Sequence, residues 1–288
     1  MIRPNLKSPQ GIVWLASYPK SGNTWLRMFL YHVARIVSGR PREKDEINKL
    51  GRASAYETRL VPLFEQFLGK PLADATILEM MRVRPRVQAA IARRAPGTTL
   101  VKTHNLFGVL NDTPTVNAEV SIGAIYLVRD PRDVVLSLSR QLGCTVDEAV
   151  DVMHTRGYVT NNSLKGAGEI WGSWSEHVLS WTGDPDGSVL VVRYEDMLSK
   201  PTETFSAVVR HLRQQATPAQ IAEAIGLSSF DKLQRQEEKI GFVERSEHAE
   251  RFFATGKAGI WREKLTPDQA KSIVDTHHEQ MARFAYLG

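Results

Sequence analysis

The sequence has 288 residues, of which 42% are hydrophobic and 24% are charged. These proportions are typical of a soluble globular chain with enough residues for a full core, folded as one large domain or, less readily, two. The formal net charge of +5 suits an anionic ligand but falls short of the dense basic tract of a nucleic-acid-binding protein. We therefore expect no nucleic-acid partner.

Cysteine content and apolar runs bear on where the protein works. The one cysteine, Cys144, excludes an internal disulfide, and no group of Cys and His residues has metal-binding spacing. Residues 1–10 lack the apolar core of a signal peptide, and the longest apolar stretch, residues 120–128, is too short to span a bilayer. We expect a cytoplasmic protein with no membrane span and no bound metal.

Four apolar runs predict the strands of a parallel sheet. The run GIVWLAS (11–17) is short, contains β-branched residues, and is followed by a loop and then a stretch with helical spacing. Similar runs stand at residues 98–103, 122–128 and 188–194. Strands that alternate with helices predict an α/β fold of three layers, α/β/α, with a central parallel sheet.

Most of the remaining chain is predicted to be helical. Helical patterns cover residues 40–95, 145–182, 201–239 and 266–285, and the tryptophans of segment 169–181 are predicted to pack in the core. Residues 240–260 contain glycine and have no period, which is typical of a lid or ligand loop. Because no repeat or linker divides the chain, we expect one domain over residues 1–288, with residues 1–10 as an N-terminal extension.

Five arginines lie close together before residue 98. They are Arg82, Arg84, Arg86, Arg93 and Arg94. Scattered charges of this kind ordinarily form the solvated faces of helices. That is the prediction here, with contact to an acidic acceptor as the alternative.

The loop after the first predicted strand, SYPKSGNTW (17–25), has the features of an anion site. Backbone N–H groups and the positive end of a helix converge there, and Lys20, Ser21 and Thr24 add an ammonium and two hydroxyls. In the P-loop of nucleoside triphosphatases, G-x-x-x-x-G-K-[ST], the lysine follows the second glycine. Here Lys20 precedes Gly22, and the first glycine is absent. A tight turn with a surface lysine is the alternative.

Two further strand ends carry cationic or titratable side chains. The segment VKTH (101–104) ends with Lys102 and His104, and the segment VRDPRDVVLS (128–137) places Arg129 just before a helix. Ligands of open α/β sheets bind beyond the carboxyl ends of the strands. These residues therefore predict an anion site with a titratable group, and a purely structural His104 is the alternative.

Six motifs together resemble a known family. In chain order they are SYPKSGNTW, KTH, RDPRDVVLS, EIWGSWSEHVLSW, VRYEDM and SSFDKL, within about residues 11–265. Their order and spacing resemble those of sulfotransferases that use 3′-phosphoadenosine 5′-phosphosulfate (PAPS). The resemblance implies a P-loop-like fold and an enzyme that transfers a sulfuryl group from PAPS to an acceptor hydroxyl, giving a sulfate ester and 3′,5′-adenosine bisphosphate.

The resemblance also implies the donor site. The loop would wrap the 5′-phosphosulfate, Arg129 and Ser137 would bind the 3′-phosphate, and no metal would be required. Trp25 and Phe230 would enclose the adenine, with Tyr194 at its edge. The implied donor-site residues are Tyr18, Pro19, Lys20, Ser21, Gly22, Asn23, Thr24, Trp25, Arg129, Ser137, Tyr194, Phe230, Gly256, Lys257 and Gly259.

The same resemblance implies the catalytic groups. His104 would be the general base that takes the proton of the acceptor hydroxyl, since an imidazole ordinarily titrates near neutral pH. Lys20, against the bridging oxygen, and Lys102 would stabilise the charge that develops on the leaving phosphate.

The sequence departs from the family pattern near its end. The family commonly carries Arg-Lys-Gly, two residues and then Gly-x-Trp, with the basic pair on the 3′-phosphate. Aligned on Gly259, this chain has Ala254 and Thr255 in place of that pair. Either Lys257 or Arg251 substitutes, or the phosphate is held more weakly. The family's dimer signature is also broken, so the oligomeric state stays open.

Two other functions and the identity of the acceptor also stay open. A P-loop kinase or nucleotidase conflicts with the reversed order in the loop, and a nucleotide-binding protein without turnover conflicts with the intact Lys20 and His104. The acceptor pocket is expected among residues 40–95, 139–165 and 240–260, where no motif occurs. Small-molecule, glycan, lipid and peptide-linked hydroxyls are all compatible with the sequence.

Overall fold

The computed structural model describes residues 10–94, 96–183 and 187–288. The expected N-terminal extension lies outside the described residues except for its last residue. The chain divides into two compact units. The first comprises the residues up to Pro19, Ala55–Tyr126 and Val152–Val191, and the second comprises Lys20–Ser54, Leu127–Asp151 and Val192–Gly288. The single domain expected from the sequence stays a prediction.

Most strand residues belong to the first unit. The described strands are β1 (Gly11–Ser17), β2 (Ala55–Tyr56), β3 (Thr98–Thr103), β4 (Val109–Leu110), β5 (Thr113–Pro114), β6 (Ser121–Val128) and β7 (Val189–Arg193). Five of them form a sheet in the order β2-β3-β1-β6-β7, in which β1 and β2 both pair in parallel with β3. The other two, β4 and β5, form an antiparallel pair.

The four predicted strands are confirmed. Every residue of β1 and all but one of β6 are buried, which is why continuous apolar runs stand there instead of an alternating pattern. The strand β7 ends one residue earlier than expected because Tyr194 begins a helix. The strand β2 was not predicted, since two residues are too few to produce a hydrophobic period.

The helices follow most of the predicted segments, but the prediction is wrong for residues 40–60, where the structure has short 3₁₀ turns and β2 and the next α-helix begins only at Val61. Several begin at a proline, whose fixed φ and missing N–H suit the first turn. In the described chain, none is both long and apolar enough to cross a membrane. The helices are α1 (Asn23–Val37), α2 (Val61–Leu68), α3 (Ile77–Arg93), α4 (Pro131–Leu142), α5 (Val146–His154), α6 (Trp174–Thr182), α7 (Tyr194–Ser199), α8 (Pro201–His211), α9 (Pro218–Leu227), α10 (Phe230–Ile240), α11 (Trp261–Lys264) and α12 (Pro267–Arg283).

The stretch from 145 to 182 is less helical than the sequence predicts. Only α5 and α6 form there, and the residues between them make isolated bridges such as that between Val159 and Ile170. A Cβ placed on Gly168 would lie 2.3 Å from the carbonyl oxygen of Thr160. The glycine at position 168 therefore allows two backbone segments to approach closely. Glycine also disfavours a helix at this position.

One of the five clustered arginines is not solvated. In the first unit, the fully buried Arg84 donates to Asn105 Oδ1 (2.6 Å) and to the Gly168 carbonyl (2.5 Å), and it lies 3.2 Å from Glu57. Burial raises the pKa of Glu57, and the positive charge of Arg84 opposes that rise. The prediction of a solvated helix face is wrong for Arg84, because its partners come from segments distant in the sequence.

The loop from 240 to 260 contributes to the core of the second unit. It has neither helix nor strand after Ile240, as its aperiodic sequence predicts. Its phenylalanines Phe242 and Phe253 are nevertheless buried in a cluster with residues of α1 and α10. The buried Arg27 also donates to the carboxylate of Glu244 at 2.8 and 2.9 Å. The loop is thus anchored at several points, and its role as a lid stays a prediction.

We expect Arg84→Ala to lower the free energy of unfolding by about 3–5 kcal/mol, because the substitution leaves the buried Glu57 without its charge partner. Urea denaturation measures this loss. Arg82→Ala, at an exposed position of the same helix, is the matched control and should change the free energy by less than about 0.5 kcal/mol. Equal losses in the two variants would contradict a special role for the buried charge.

Candidate functional site

The end of β3 carries the predicted general base, within the first unit. His104 is buried, and its Nδ1 lies 2.8 Å from the backbone carbonyl oxygen of Ser17, the last residue of β1. A carbonyl oxygen can only accept a hydrogen bond, so Nδ1 carries the proton. The neutral imidazole therefore has its lone pair on Nε2, which is the atom that a general base would use.

A second buried histidine supports the backbone of His104. His177 Nε2 donates to the His104 carbonyl oxygen (3.1 Å), and the hydroxyl of Tyr126 donates to His177 Nδ1 (2.9 Å). Burial lowers the pKa of His177 to about 3, although the bond to the His104 carbonyl works in the opposite direction. His177 is therefore neutral near pH 7, with its proton on Nε2.

Contacts on both sides of His104 hold the same segment. After it, the Asn105 carbonyl accepts from the indole N–H of Trp181 at 3.0 Å. Before it, Lys102 Nζ lies 3.8 Å from the centroid of the Tyr56 ring, a cation–π contact. This contact holds the ammonium of Lys102 beside Tyr56 of β2.

The side chain of Tyr18 packs in the core of the first unit. Its ring centroid is 6.2 Å from that of Trp171 and 5.6 Å from that of His177, both in edge-on geometry. The nearby Trp174 and Trp181 are also buried, which confirms the core role predicted for segment 169–181. Its hydroxyl is buried and has no hydrogen-bond partner among the described residues.

In the second unit, the loop before α1 has the backbone of an anion site. Lys20 (φ 68°) and Gly22 (φ 103°) both adopt left-handed conformations, which turn successive N–H groups toward one point. No acidic side chain stands in the first turn of α1. Gly22 is required for a second reason: a Cβ there would lie 2.7 Å from the ring of Tyr194. Lys20 Nζ lies 4.2 Å from the centroid of the Phe252 ring.

Arg129 joins two segments of the second unit. Its guanidinium stacks 4.2 Å from the centroid of the Tyr194 ring, donating to the carbonyl oxygens of Lys20 (3.3 Å) and Lys257 (3.1 Å). Its Nε is buried and has no hydrogen-bond partner among the described residues. A buried charged donor without an acceptor is costly, so this atom indicates a place for an anion.

Asp133 holds the backbone from Gly259 to Trp261. It is buried on α4 and accepts from the backbone N–H groups of Gly259 (2.6 Å) and Trp261 (3.0 Å). Burial raises its pKa, and those two N–H groups oppose the rise. At Gly256 (φ 60°), a Cβ would lie 2.3 Å from the ring of Phe230. Only glycine lets the backbone cross that ring so closely.

The aromatic residues implied at the adenine lie in one cluster. The ring of Trp25 is edge-on to Tyr194 (5.8 Å) and to Phe205 (5.6 Å). Phe230 contacts Phe253 at 6.1 Å. Trp25 and Phe230 both pack against the buried cluster of the second unit, so the structure brings the predicted aromatic pair to the same region.

The structure connects most of the predicted donor site. In the second unit, Arg129 bonds the loop at Lys20 and, at Lys257, residues 256–261, here called the closing segment. Ser137 lies half-buried on α4 without a direct bond to either. The predicted residues of the first unit are Tyr18, Pro19, Lys102 and His104. Within the described chain, no group of three His, Cys, Asp or Glu side chains could hold a metal ion.

Two supporting residues were missed by sequence reasoning. Asp133 follows Arg129 by four residues in RDPRD. Residues at this spacing are neighbours on a helix, so the sequence could have indicated that Asp133 lies beside Arg129. His177 had no such signal, because a single histidine on an apolar helix is ordinarily structural.

Comparisons with known proteins decide the family. The family model described as "Sulfotransferase domain" matches residues 10–285. The chain belongs to the sulfotransferase domain family. It is an enzyme that transfers a sulfuryl group from PAPS to an acceptor hydroxyl, which confirms the function implied by the motifs. The kinase and the protein without turnover are thereby excluded.

Individual relatives agree with this assignment. Cytosolic sulfotransferase 16 of Arabidopsis thaliana is 27% identical over 283 residues, which cover 90% of this chain and 72% of the relative. Flavonol 3-sulfotransferase of Flaveria bidentis is 24% identical, covering 91% of this chain and 78% of the relative. The structure of a retinol dehydratase with androsterone and the inactive cofactor PAP aligns with a TM-score of 0.62 at 18% identity, over 95% of this chain and 81% of that chain. This last likeness confirms the α/β fold of the sulfotransferases, with a central parallel sheet flanked by helices.

The residues of the second unit fit the anionic donor. Arg129 Nε and Ser21 Oγ are buried polar atoms for which the described residues provide no hydrogen-bond partner. They stand beside a backbone whose N–H groups are turned by positive φ at Lys20 and Gly22. Phosphate oxygens of a bound nucleotide are the acceptors that such donors need.

The lowered pKa of His177 predicts a pH-dependent stability. The unfolded chain binds the proton below about pH 6.5, whereas the folded pKa is about 3. Stability is therefore complete above pH 6.5 and is lost as the pH falls towards 3. We expect His177→Gln to reduce the loss of unfolding free energy between pH 6.5 and 4 by roughly 3 kcal/mol.

Urea denaturation across this pH range measures the effect. His278→Gln, at an exposed position of α12, is the control and should keep the wild-type pH dependence. An unchanged pH dependence in folded His177→Gln would show that His177 does not titrate as its burial requires.

Proposed function

We propose that His104 is the general base of the transfer and that Lys20 and Lys102 stabilise the leaving phosphate. The observation that carries the proposal is the bond between His104 Nδ1 and the Ser17 carbonyl, which leaves the lone pair on Nε2 for the acceptor proton. When bound, the donor supplies the sulfuryl group and a phosphate leaving group. Ammonium groups fixed where negative charge develops lower the barrier.

Most of the residues that hold the donor belong to the second unit. The loop amides, Lys20 and Ser21 bind the 5′-phosphosulfate, and Arg129 binds the 3′-phosphate together with Ser137. Trp25, Phe230 and Tyr194 bind the adenine. Three observations support this arrangement. Arg129 Nε and Ser21 Oγ have no hydrogen-bond partner among the described residues, and Lys20 and Gly22 in the loop have positive φ angles. The related retinol dehydratase structure contains PAP.

The acceptor is a small molecule with a hydroxyl group. The names of the relatives support this class, since one acts on a flavonol and a related structure contains androsterone. A screen of hydroxyl compounds with PAPS, read by mass spectrometry as the gain of one sulfuryl group, identifies the acceptor. Transfer only to a macromolecular hydroxyl would contradict the proposed class.

The enzyme acts in the cytosol, in line with the name of the Arabidopsis thaliana relative. Fractionation of cells that express the protein tests this location. Recovery in the membrane or secreted fraction would contradict it.

Donor binding is expected to need no divalent metal, because Lys20, Arg129 and the loop amides supply the positive field. Calorimetric titration with 3′,5′-adenosine bisphosphate should give the same affinity in excess chelator and in excess magnesium. Loss of binding in chelator would assign the phosphate charge to a metal instead.

His104→Ala is expected to leave the affinity for the bisphosphate unchanged and to lower turnover by about 100-fold or more, as loss of a general base does. Lys20→Ala should lower both affinity and turnover, because its ammonium acts on bound donor and leaving group alike. The assay uses the acceptor from the screen, and binding is measured by calorimetry.

His278→Ala provides a control, since this exposed histidine lies on α12 and should leave both quantities at wild-type values. Near-normal turnover in folded His104→Ala would place the base on another residue.

A further inference from the structure

Tyr56, in the first unit, contacts both side chains that the proposed mechanism takes from the end of β3. Lys102 Nζ lies 3.8 Å from the centroid of the Tyr56 ring. The imidazole of His104 meets the same ring edge-on, with the two ring centroids 6.2 Å apart. Lys102 and His104 are buried, and Tyr56 is half-buried. One aromatic ring therefore borders the ammonium and the imidazole together.

The sheet explains why these three side chains meet. In the parallel pairing of β2 with β3, Tyr56 is the register partner of Lys102. Side chains alternate between the two faces of a strand, so Lys102 and His104, two residues apart, point to the same face. The strand β2 has only two residues, and its pairing brings an aromatic side chain to the end of β3.

The far end of the Tyr56 ring is also held. Its hydroxyl donates to Oε1 of the buried Glu169 at 3.3 Å, and Oε2 of the same carboxylate accepts from the indole N–H of Trp171 at 3.1 Å. The backbone of Glu169 is fixed by Thr160, whose hydroxyl accepts from the Glu169 N–H at 2.8 Å and whose N–H donates to the Glu169 carbonyl at 2.9 Å. The ring is therefore oriented by an acceptor that is itself held in place.

An aromatic face suits an ammonium that has to act on another charge. A lysine side chain is long and flexible, so a catalytic ammonium needs a contact that orders it. A carboxylate would order the ammonium but would also cancel much of its charge. The face of an aromatic ring attracts a cation through its quadrupole and carries no net charge. The contact with Tyr56 thus orders Lys102 and leaves its positive charge to act on the leaving phosphate.

We propose that Tyr56 is a positioning residue that fixes the ammonium of Lys102 beside His104. Glu169 supports this role by holding the hydroxyl of the ring. The inference rests on the role of Lys102 in the proposed function. Arg59 is a second cation near the ring, but its Cζ is 5.7 Å from the centroid and its side chain is exposed. Greater distance and contact with water both weaken a cation–π interaction, so Lys102 is the main partner.

NMR spectroscopy of the protein without ligand tests the contact. The ring current of Tyr56 should shift the ε-methylene protons of Lys102 upfield, and their resonance is assigned by its absence in Lys102→Ala. Tyr56→Leu should return this resonance to the ordinary lysine position, whereas Tyr56→Phe should keep the shift. Tyr56→Met replaces Tyr56→Leu if the latter does not fold. A resonance at the ordinary position in the wild type, or one that does not move in the folded variant, overturns the inference.

Kinetics with PAPS and the small-molecule acceptor from the screen test the consequence. Tyr56→Leu should lower kcat about 10- to 30-fold, the strength of a cation–π contact shielded from water. KM for the acceptor and the affinity for 3′,5′-adenosine bisphosphate should stay at wild-type values, because Lys102 acts on charge that develops in the transition state. Tyr56→Phe should retain most of the turnover. Phe284→Leu is the control, since Phe284 is another half-buried ring with a cation, Arg283, 5.4 Å from its centroid.

A double-mutant cycle separates positioning from a merely structural role. If Tyr56 acts through Lys102, Tyr56→Leu should cause no further loss of kcat in the Lys102→Ala background. The same additional loss in both backgrounds would overturn the inference. If Lys102→Ala itself keeps wild-type turnover, the proposed function of Lys102 fails. A loss in Lys102→Ala without one in Tyr56→Leu rejects only the role of Tyr56.

Discussion

The hydrogen bond between His104 Nδ1 and the Ser17 carbonyl oxygen is the constraint on which the proposed role of His104 depends. Parallel pairing places Ala16 opposite Thr103, so the residues that follow these two strands leave the sheet at the same edge. The bond uses this register to fix both the tautomer and the orientation of the imidazole. A one-residue shift in the pairing would remove the acceptor and with it the position of the lone pair.

In the second unit, charged side chains likewise hold backbone segments in place. Arg129 bonds backbone carbonyls of two segments, and Asp133, one turn later, bonds backbone N–H groups of the closing segment. Residues just before and within the first turn of α4 therefore hold both the loop before α1 and the segment from Lys257 to Trp261. The bonds of Arg129 go to backbone carbonyls, so they hold the two segments without using the side chains of Lys20 and Lys257.

The loop before α1 turns its backbone N–H groups with left-handed conformations, although it lacks the first glycine of a P-loop. Lys20 adopts a left-handed φ, which is uncommon outside glycine and is typical of functional sites. Gly22 adopts the same region, and its missing Cβ admits the ring of Tyr194, on which Arg129 stacks. The reversed order of lysine and glycine in the sequence is therefore part of a connected arrangement of loop, ring and guanidinium.

The sequence by itself determined the elements and the motifs, whereas the tertiary structure decided the state of the side chains. Apolar runs predicted four strands, since strands covered on both faces need unbroken apolar sequence, and the motif order predicted the family. The burial of Arg84 and Tyr18, the irregular backbone around Gly168 and the roles of Asp133 and His177 were not predictable. Each depends on partners distant in the chain, and local patterns contain no information about contacts that only folding creates.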